Sequence, residues 1–549
     1  MSSSSAPVTA SLPTSFISGS SSTSVPSKPL NQPKREDLQI LEYSTVVDRD
    51  HDSLDPWGKV LQRVIKAIVS IKGTTLRTFD TEYAGLYQGT GFVVDRTRGI
   101  ILSNRHIVSP GPITASAVFG NYEEVNLKQD YYDPVHDFGF FRYDCTKIKF
   151  AEIEEIELYP QGAKVGLDIK VCGNDAGEKL SILSSTLSRL DRHAPDLGNN
   201  YSDFNINYFQ AASGTSPGSS GSPVLDIKGR AVALNASGRL DSASAFFLPL
   251  EPIVRALKFV QEGIRVPRGT LQTEFIHSSY DELRRLGLPQ EIENEFRERN
   301  KAGTGLLLVS KVLPEGPGYQ AGIAVGDVLV ECVEEGFGRR FIESFHSLWE
   351  IIDASVGKRV IFVVYRGDQR KDFSITIQDL HSITPNTFLE VGNASVHLLS
   401  YQLARVYHMP CKGLYVASSG IFNWAGPVGG FLITQLAGKP VDSLENFLQI
   451  YLSLEDGKKV GFRFMMLGGY EDQLGIVEID HHFYVSAQYT RDTSWKRKVL
   501  SPSPIVEPKG LQRAPTLLLE GTRIENLRQI LVMIRCRVPY SVDVFPISL

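Results

Sequence analysis

Between Pro217 and Val224 the chain reads Pro-Gly-Ser-Ser-Gly-Ser-Pro-Val, a turn bracketed by Gly218 and Gly221 that leads straight into an apolar strand. Glycine lacks a Cβ, so the backbone can double back there and aim its N–H groups at one spot. A serine in such a turn is presented rather than packed. Its hydroxyl becomes a nucleophile only if a base takes its proton and donors await the developing oxyanion. The same composition also describes an ordinary Ser/Gly/Pro loop. The decision rests on what lies upstream.

Ile100–Val108 reads as an apolar strand running into a polar turn with one histidine, His106, and Asp137 follows at the mouth of an aromatic strand ending at Tyr143. The order His106, Asp137, Ser220 is that of chymotrypsin-type double barrels, whereas subtilisin-type and α/β-hydrolase enzymes run through their triads differently. In this arrangement His106 is the general base, Asp137 holds the imidazole tautomer, and Ser220 is the nucleophile. The N–H groups of Gly218, Ser219 and Ser220 form the candidate oxyanion hole. His136 is a rival base, but side chains adjacent on a strand point to opposite faces.

Pro56–Ala67 has helical spacing with proline at its start. Short apolar runs then follow at close intervals between Gly, Asp and Asn turns, the signature of an antiparallel barrel or sandwich. They include 68–71, 91–94, 100–102, 138–143, 169–172, 180–183, 224–225 and 231–234. The expected fold is mainly β with α: a chymotrypsin-like double β-barrel over 55–263, then further α/β units. Ala233, Leu234, Asn235, Ala236 and Ser237 would line a pocket beside the serine turn and offer an edge to an extended chain. Small residues there suit a modest apolar side chain, with Asp241 the nearest acid.

Four fragments carry a family resemblance: Gly89–Val94, Ser103–Val108, His136–Gly139 and Gly218–Pro223, with Leu187–Asp191 as a fifth. In this order the chain resembles the HtrA/Deg serine proteases over about residues 55–485. Ser219 and Ser222 stand where asparagine and glycine are common in bacterial members. That variant is similar to the fungal nuclear HtrA-like enzymes described as pro-apoptotic serine proteases. The resemblance implies a PDZ unit over 265–380, carried by Gly305–Val309 and Ala321–Leu329, in which Thr273, Glu274, Phe275 and Ile276 form the loop that holds a peptide carboxylate. A charged helix, Gln290–Lys301, could cover that groove. A second, looser PDZ-like copy spans 384–485.

The implied activity is endopeptidase action on unfolded or regulatory polypeptides, with C-terminal peptides as PDZ ligands, a role in nuclear protein quality control and apoptosis, a nuclear or also cytoplasmic location, and room for a homo-oligomer. A different class is a proteolytically inactive chaperone or PDZ scaffold that retains the triad.

With 549 residues the chain should hold several units, since single cores stop growing at about 250–300 residues. Residues 1–45, rich in Ser, Thr and Pro, read as a disordered tail. The net charge of −5 gives no general pull toward nucleic acid or anionic membrane. Five cysteines lie far apart without ligand spacing, which points to a reducing compartment. No cofactor is expected, and no metal, His481-His482 included. Residues 486–549 read as a linker and the start of an incomplete second protease-like unit, because Arg528–Ile534 echoes Arg63–Val69.

Overall fold

The computed structural model describes residues 56–500 apart from 176–178, 196, 199–200, 213–217, 240–243, 335–337, 426–429 and 470. The expected tail, Pro217, Asp241 and the 528–534 echo lie outside the described residues.

Helix α1 (Pro56–Val64) leads through a short 3-10 turn into the first barrel. Its strands are β1 (Ile68–Thr75), β2 (Gly85–Asp95), β3 (Ile100–Ser103), β4 (Ile113–Val118), β5 (Glu124–Tyr132) and β6 (Gly139–Tyr143), closed in the order β1-β2-β3-β6-β5-β4. Four-residue helix α2 (Arg105–Val108) follows β3. The second barrel closes β7 (Asp168–Asp175), β8 (Lys179–Arg192), β9 (Tyr208–Ala211), β10 (Pro223–Leu225), β11 (Ala231–Arg239) and β12 (Ser244–Pro249) in the order β10-β11-β12-β9-β8-β7. Closure removes the unpaired edges that open sheets of such short strands would expose. The expected double barrel is observed, with six strands in each half. Helix α3 (Glu251–Glu262) ends on left-handed Gly263 and buries Ile253, Ala256 and Val260.

Two larger sheets follow, with a two-stranded pairing of Gly269–Thr270 and Gln378–Asp379 beside them. The first unit pairs Thr273–Ser279, Gly305–Val312, Val328–Glu334, Arg359–Arg366 and Gln369–Thr376 in that order. Alternation along Gly305–Val312 feeds two cores. Leu307 and Val309 face helix Phe345–Ala354, while Leu306 joins Phe296 on the other side. The charged helix, observed as Gln290–Arg299, therefore covers the opposite sheet face and not the groove.

In the second unit the order runs Gln473–Glu478, Lys459–Met466, Phe431–Leu436, Leu414–Ser418, Ala394–Leu398, Thr387–Val391, Ala487–Arg491 and Trp495–Val499. The last two strands lie beyond residue 485, where sequence reading placed a linker. They belong to this sheet.

Both units are bolted to the barrels. Arg268, almost wholly buried, lies between Asp133 of the first barrel and Asp353 of the first unit, at 3.0 and 2.8 Å. Phe79 packs on Phe388 and Trp495 of the second unit with ring centroids 5.4 and 5.1 Å apart. No helix among the described residues is long and apolar enough to cross a membrane.

Candidate active site

His106 is carried by α2, whose first turn follows Asn104 at the end of β3. The Asn104 amide donates to the Asp137 carbonyl at 2.9 Å, so the histidine turn and the aspartate turn are tied together. His106 Nδ1 lies 3.0 Å from both carboxylate oxygens of Asp137, and the His106 backbone N–H donates to Oδ1 at 3.2 Å. Asp137 is fully buried, whereas 27% of the His106 side chain is exposed, so one imidazole edge is held and the ring still meets solvent. Burial alone would lower the imidazole pKa. The charge and hydrogen bond of Asp137, with Glu82 adding to them, outweigh it and raise the value above the ordinary 6.5.

The serine turn comes from the other barrel but is fastened to the first. Thr90 of β2 donates its N–H to the Ser220 carbonyl at 2.8 Å and its hydroxyl to the Gly218 carbonyl at 2.9 Å. The Ser103 hydroxyl, one residue before Asn104, donates to the Thr90 carbonyl at 2.7 Å. A short chain of bonds thus runs from Ser220 through Thr90 and Ser103 to the segment bearing His106. Gly221 has a φ of 86°, and a Cβ there would sit 2.0 Å from the Thr90 carbonyl oxygen. Only glycine allows this approach.

The two departures in the turn have internal partners. Ser222 Oγ donates to the Ser219 carbonyl at 2.5 Å, and the Asn235 amide reaches that carbonyl at 2.8 Å and Ser219 Oγ at 3.2 Å. The carbonyls of Gly218, Ser219 and Ser220 are therefore all engaged with protein. Among the described residues no backbone acceptor meets the N–H groups of Gly218 or Ser220. The Ser220 hydroxyl donates to the Ala236 carbonyl at 3.3 Å, and no hydrogen bond joins it to His106.

The pocket strand serves the barrel core with much of its side-chain surface. Ala233 and Leu234 are fully buried in the barrel cores and offer no side chain to a ligand. Asn235 exchanges backbone bonds with Gly221 and Ser222, both at 2.9 Å. A bulge between Asn235 and Ser237 turns the Ala236 carbonyl toward Ser220. Thr273–Ile276 is no loop but a strand paired along its length with Gly305–Val312. Its outward Thr273 carbonyl and Phe275 N–H are held by the Asn205 side chain at 3.0 and 2.7 Å, so these groups do not form an open carboxylate cradle.

His136 faces away from the imidazole, with Nδ1 2.8 Å from buried Asp203. His481 bonds within its own unit, through Nε2 to the Leu454 carbonyl and N–H to Asp456.

Sequence reasoning missed the groups around the dyad. Arg105, 1% exposed, pairs with Asp80 at 3.0 Å and lies over the Tyr201 ring at 4.5 Å. Asp80 also accepts from Ser400, and its N–H donates to His397 Nε2 at 3.0 Å, both in the second unit. Burial raises the Glu82 pKa, against the pull of Arg105 and His106. The only advance signal was an arginine beside a candidate base, and its partners lie too far along the chain to be paired by spacing.

A trypsin-like peptidase domain model matches residues 89–234, and a PDZ-like domain model matches 382–457. Protease Do-like 7 of Arabidopsis thaliana is 44% identical over 86% of this chain and 44% of its own length. Pro-apoptotic serine protease NMA111 of Ajellomyces capsulatus is 39% identical over 93% of this chain and 50% of its own length. The chain thus spans about half the length of the curated relatives it matches. The solved HtrA-type protease AlgW with decapeptide aligns over 59% of this chain and 98% of that one, at 17% identity and a TM-score of 0.43. On the curated relatives and the two domain models, the chain belongs to the HtrA-like serine protease family.

Proposed function

We propose that this chain is a serine endopeptidase that hydrolyses peptide bonds in exposed or partly unfolded polypeptide. The observation that carries the reading is His106 Nδ1, 3.0 Å from both oxygens of a fully buried Asp137, beside a serine turn laced to the same barrel through Thr90. In this reading the Ser220 Oγ–H bond gives its proton to His106 Nε2 as Oγ bonds to the scissile carbonyl carbon. The carbonyl π electrons move onto its oxygen, where the Gly218 and Ser220 N–H groups receive them. The intermediate collapses with cleavage of the C–N bond. His106 returns the proton to the leaving amine, and water then repeats the sequence on the acyl-enzyme. Asp137 keeps Nδ1–H oriented and supports the imidazolium without taking the proton.

The Ser220 hydroxyl must first swing from the Ala236 carbonyl to His106. That rotamer is the observation favouring the second reading, a chaperone or scaffold that retains the triad unused. Casein hydrolysis by wild type and Ser220→Ala separates them: the proposal expects near-complete loss, and equal turnover would rule it out.

The PDZ-like units are assigned to peptide recognition or regulation. A death-related role is supported by the description of the fungal relatives as pro-apoptotic. The nuclear location rests on the sequence resemblance, and imaging of a tagged full chain tests it.

A further inference from the structure

Asp203 lies between the end of β8 and β9, in a segment whose sequence advertises nothing. Its carboxylate is wholly buried. Such a charge is tolerated only where donors replace its water. Four do: His136 Nδ1 at 2.8 Å, the Phe204 N–H at 2.7 Å, the Tyr208 hydroxyl at 3.1 Å and the Asp137 N–H at 3.3 Å. Two of these donors, His136 and Asp137, belong to the opposite barrel.

Resting on the triad reading above, we infer that Asp203 is a positioning residue for the catalytic dyad. The argument is geometric. The peptide plane after the Asp137 Cα is fixed by the Asn104 amide on the Asp137 carbonyl, and the plane before it by Asp203 on the Asp137 N–H. With both planes held, the Cα–Cβ direction of Asp137 is set, and with it the symmetrical approach of its two oxygens to His106 Nδ1. Asn104 acts from within the histidine turn. Asp203 acts from 66 residues downstream, so the dyad is aligned only when the second barrel has closed against the first. The neighbouring Tyr201 strengthens the same joint, donating its hydroxyl to the Val135 carbonyl at 2.8 Å.

The test is Asp203→Asn in the full chain, read by fluorophosphonate labelling of Ser220 across pH and by casein hydrolysis. The amide keeps the shape but must turn an NH2 toward a donor. Labelling should fall about tenfold or more, as expected when a general base loses its orienter, while KM for casein stays unchanged. The acid limb of the labelling rate should move to lower pH. Asp137 and Glu82 raise the His106 pKa and Arg105 opposes them, and a displaced Asp137 contributes less. A purely structural role would lower the melting temperature and leave the acid limb where it was. Asp203→Glu retains the charge and should show the same shift at smaller size, which keeps the test decisive if the amide variant does not fold. Wild-type labelling rate and acid limb in either folded variant would overturn the inference. A wild-type protein that neither labels nor cleaves would instead overturn the triad itself.

Discussion

The two units behind the barrels are built alike but finished differently. Each runs strand, serine-capped short helix, strand, then a further strand and a second serine-capped helix: Ser279 and Ser344 cap in the first, Ser400 and Ser443 in the second. In the first unit the strand Thr273–Ser279 is the outer edge of its sheet, touched by one asparagine side chain from the protease. In the second, the equivalent strand Ala394–Leu398 is covered by Thr387–Val391 running antiparallel, and that strand by Ala487–Arg491 and Trp495–Val499. An extended peptide adds to a sheet through exactly such an edge. A shared core therefore does not decide whether a module can take a ligand; flanking strands do. The joints differ too. The first unit is held by a buried arginine between two carboxylates, the second by an aromatic cluster together with the Arg77–Glu390 ion pair at 2.7 Å and the Asp80 bonds to Ser400 and His397.

Arg268→Met should break that contrast most severely. It removes the cation from Asp133 and Asp353, both about 1% exposed, leaving Asp133 with hydrogen-bond donors alone and Asp353 with Arg255 at 3.0 Å. Breaking one side of such a network costs about 3–5 kcal/mol. Urea unfolding followed by fluorescence measures it, and a loss below about 1 kcal/mol would mean that water or Arg255 takes over the role.

The arginine joint should also weaken in acid. Burial pushes the Asp133 carboxyl up, but Arg268, His136 and the backbone N–H groups of His136 and Val135 bring it down to about 2, against an ordinary 3.8. A depressed folded-state pKa stabilises above the ordinary value, and the contribution is lost as pH falls from about 4 toward 2. By linkage it amounts to about 2 kcal/mol. The cost of Arg268→Met should shrink over that window.

Phe388→Leu probes the other joint. Phe388 is fully buried, stacked on Tyr489 at 4.4 Å and set against Phe79 and Trp495 at 5.4 Å. Losing the ring should cost about 1–2 kcal/mol. Urea unfolding at pH 7 measures it, and a loss below about 0.5 kcal/mol would mean that the ring cluster does not carry this joint.

What the sequence disclosed follows from where each signal resides. The barrels were legible because His106, Asp137 and Ser220 each sit in a local turn whose glycine, aspartate and apolar neighbours carry their own pattern. Arg105, Asp80 and Asp203 were not, because a buried ion pair is written in two distant places and each half looks like a solvated charge. The strands at Ala487 and Trp495 were read as linker because strand addition to a distant edge leaves no local mark. Thr273–Ile276 was taken for a loop by resemblance, while its Thr-x-Phe alternation is that of a strand.

Asn205 offers the gentlest test of the comparison. Its backbone is left-handed, with φ of 54°, a conformation asparagine and glycine adopt more readily than other residues. Asn205→Gly therefore removes the carboxamide while leaving the turn its shape. Two hydrogen bonds to the first unit are lost, so the stability cost should be about 1 kcal/mol or a little more. The freed Thr273 carbonyl and Phe275 N–H then need no rearrangement to accept a peptide strand, which should tighten binding of a fluorescent apolar C-terminal peptide by about fivefold in anisotropy. Photo-crosslinking should place that peptide beside Thr273–Ser279 and never beside Ala394–Leu398, whose edge is already occupied. Unchanged affinity, or crosslinks to the second unit, would mean that an open edge is not what separates the two modules.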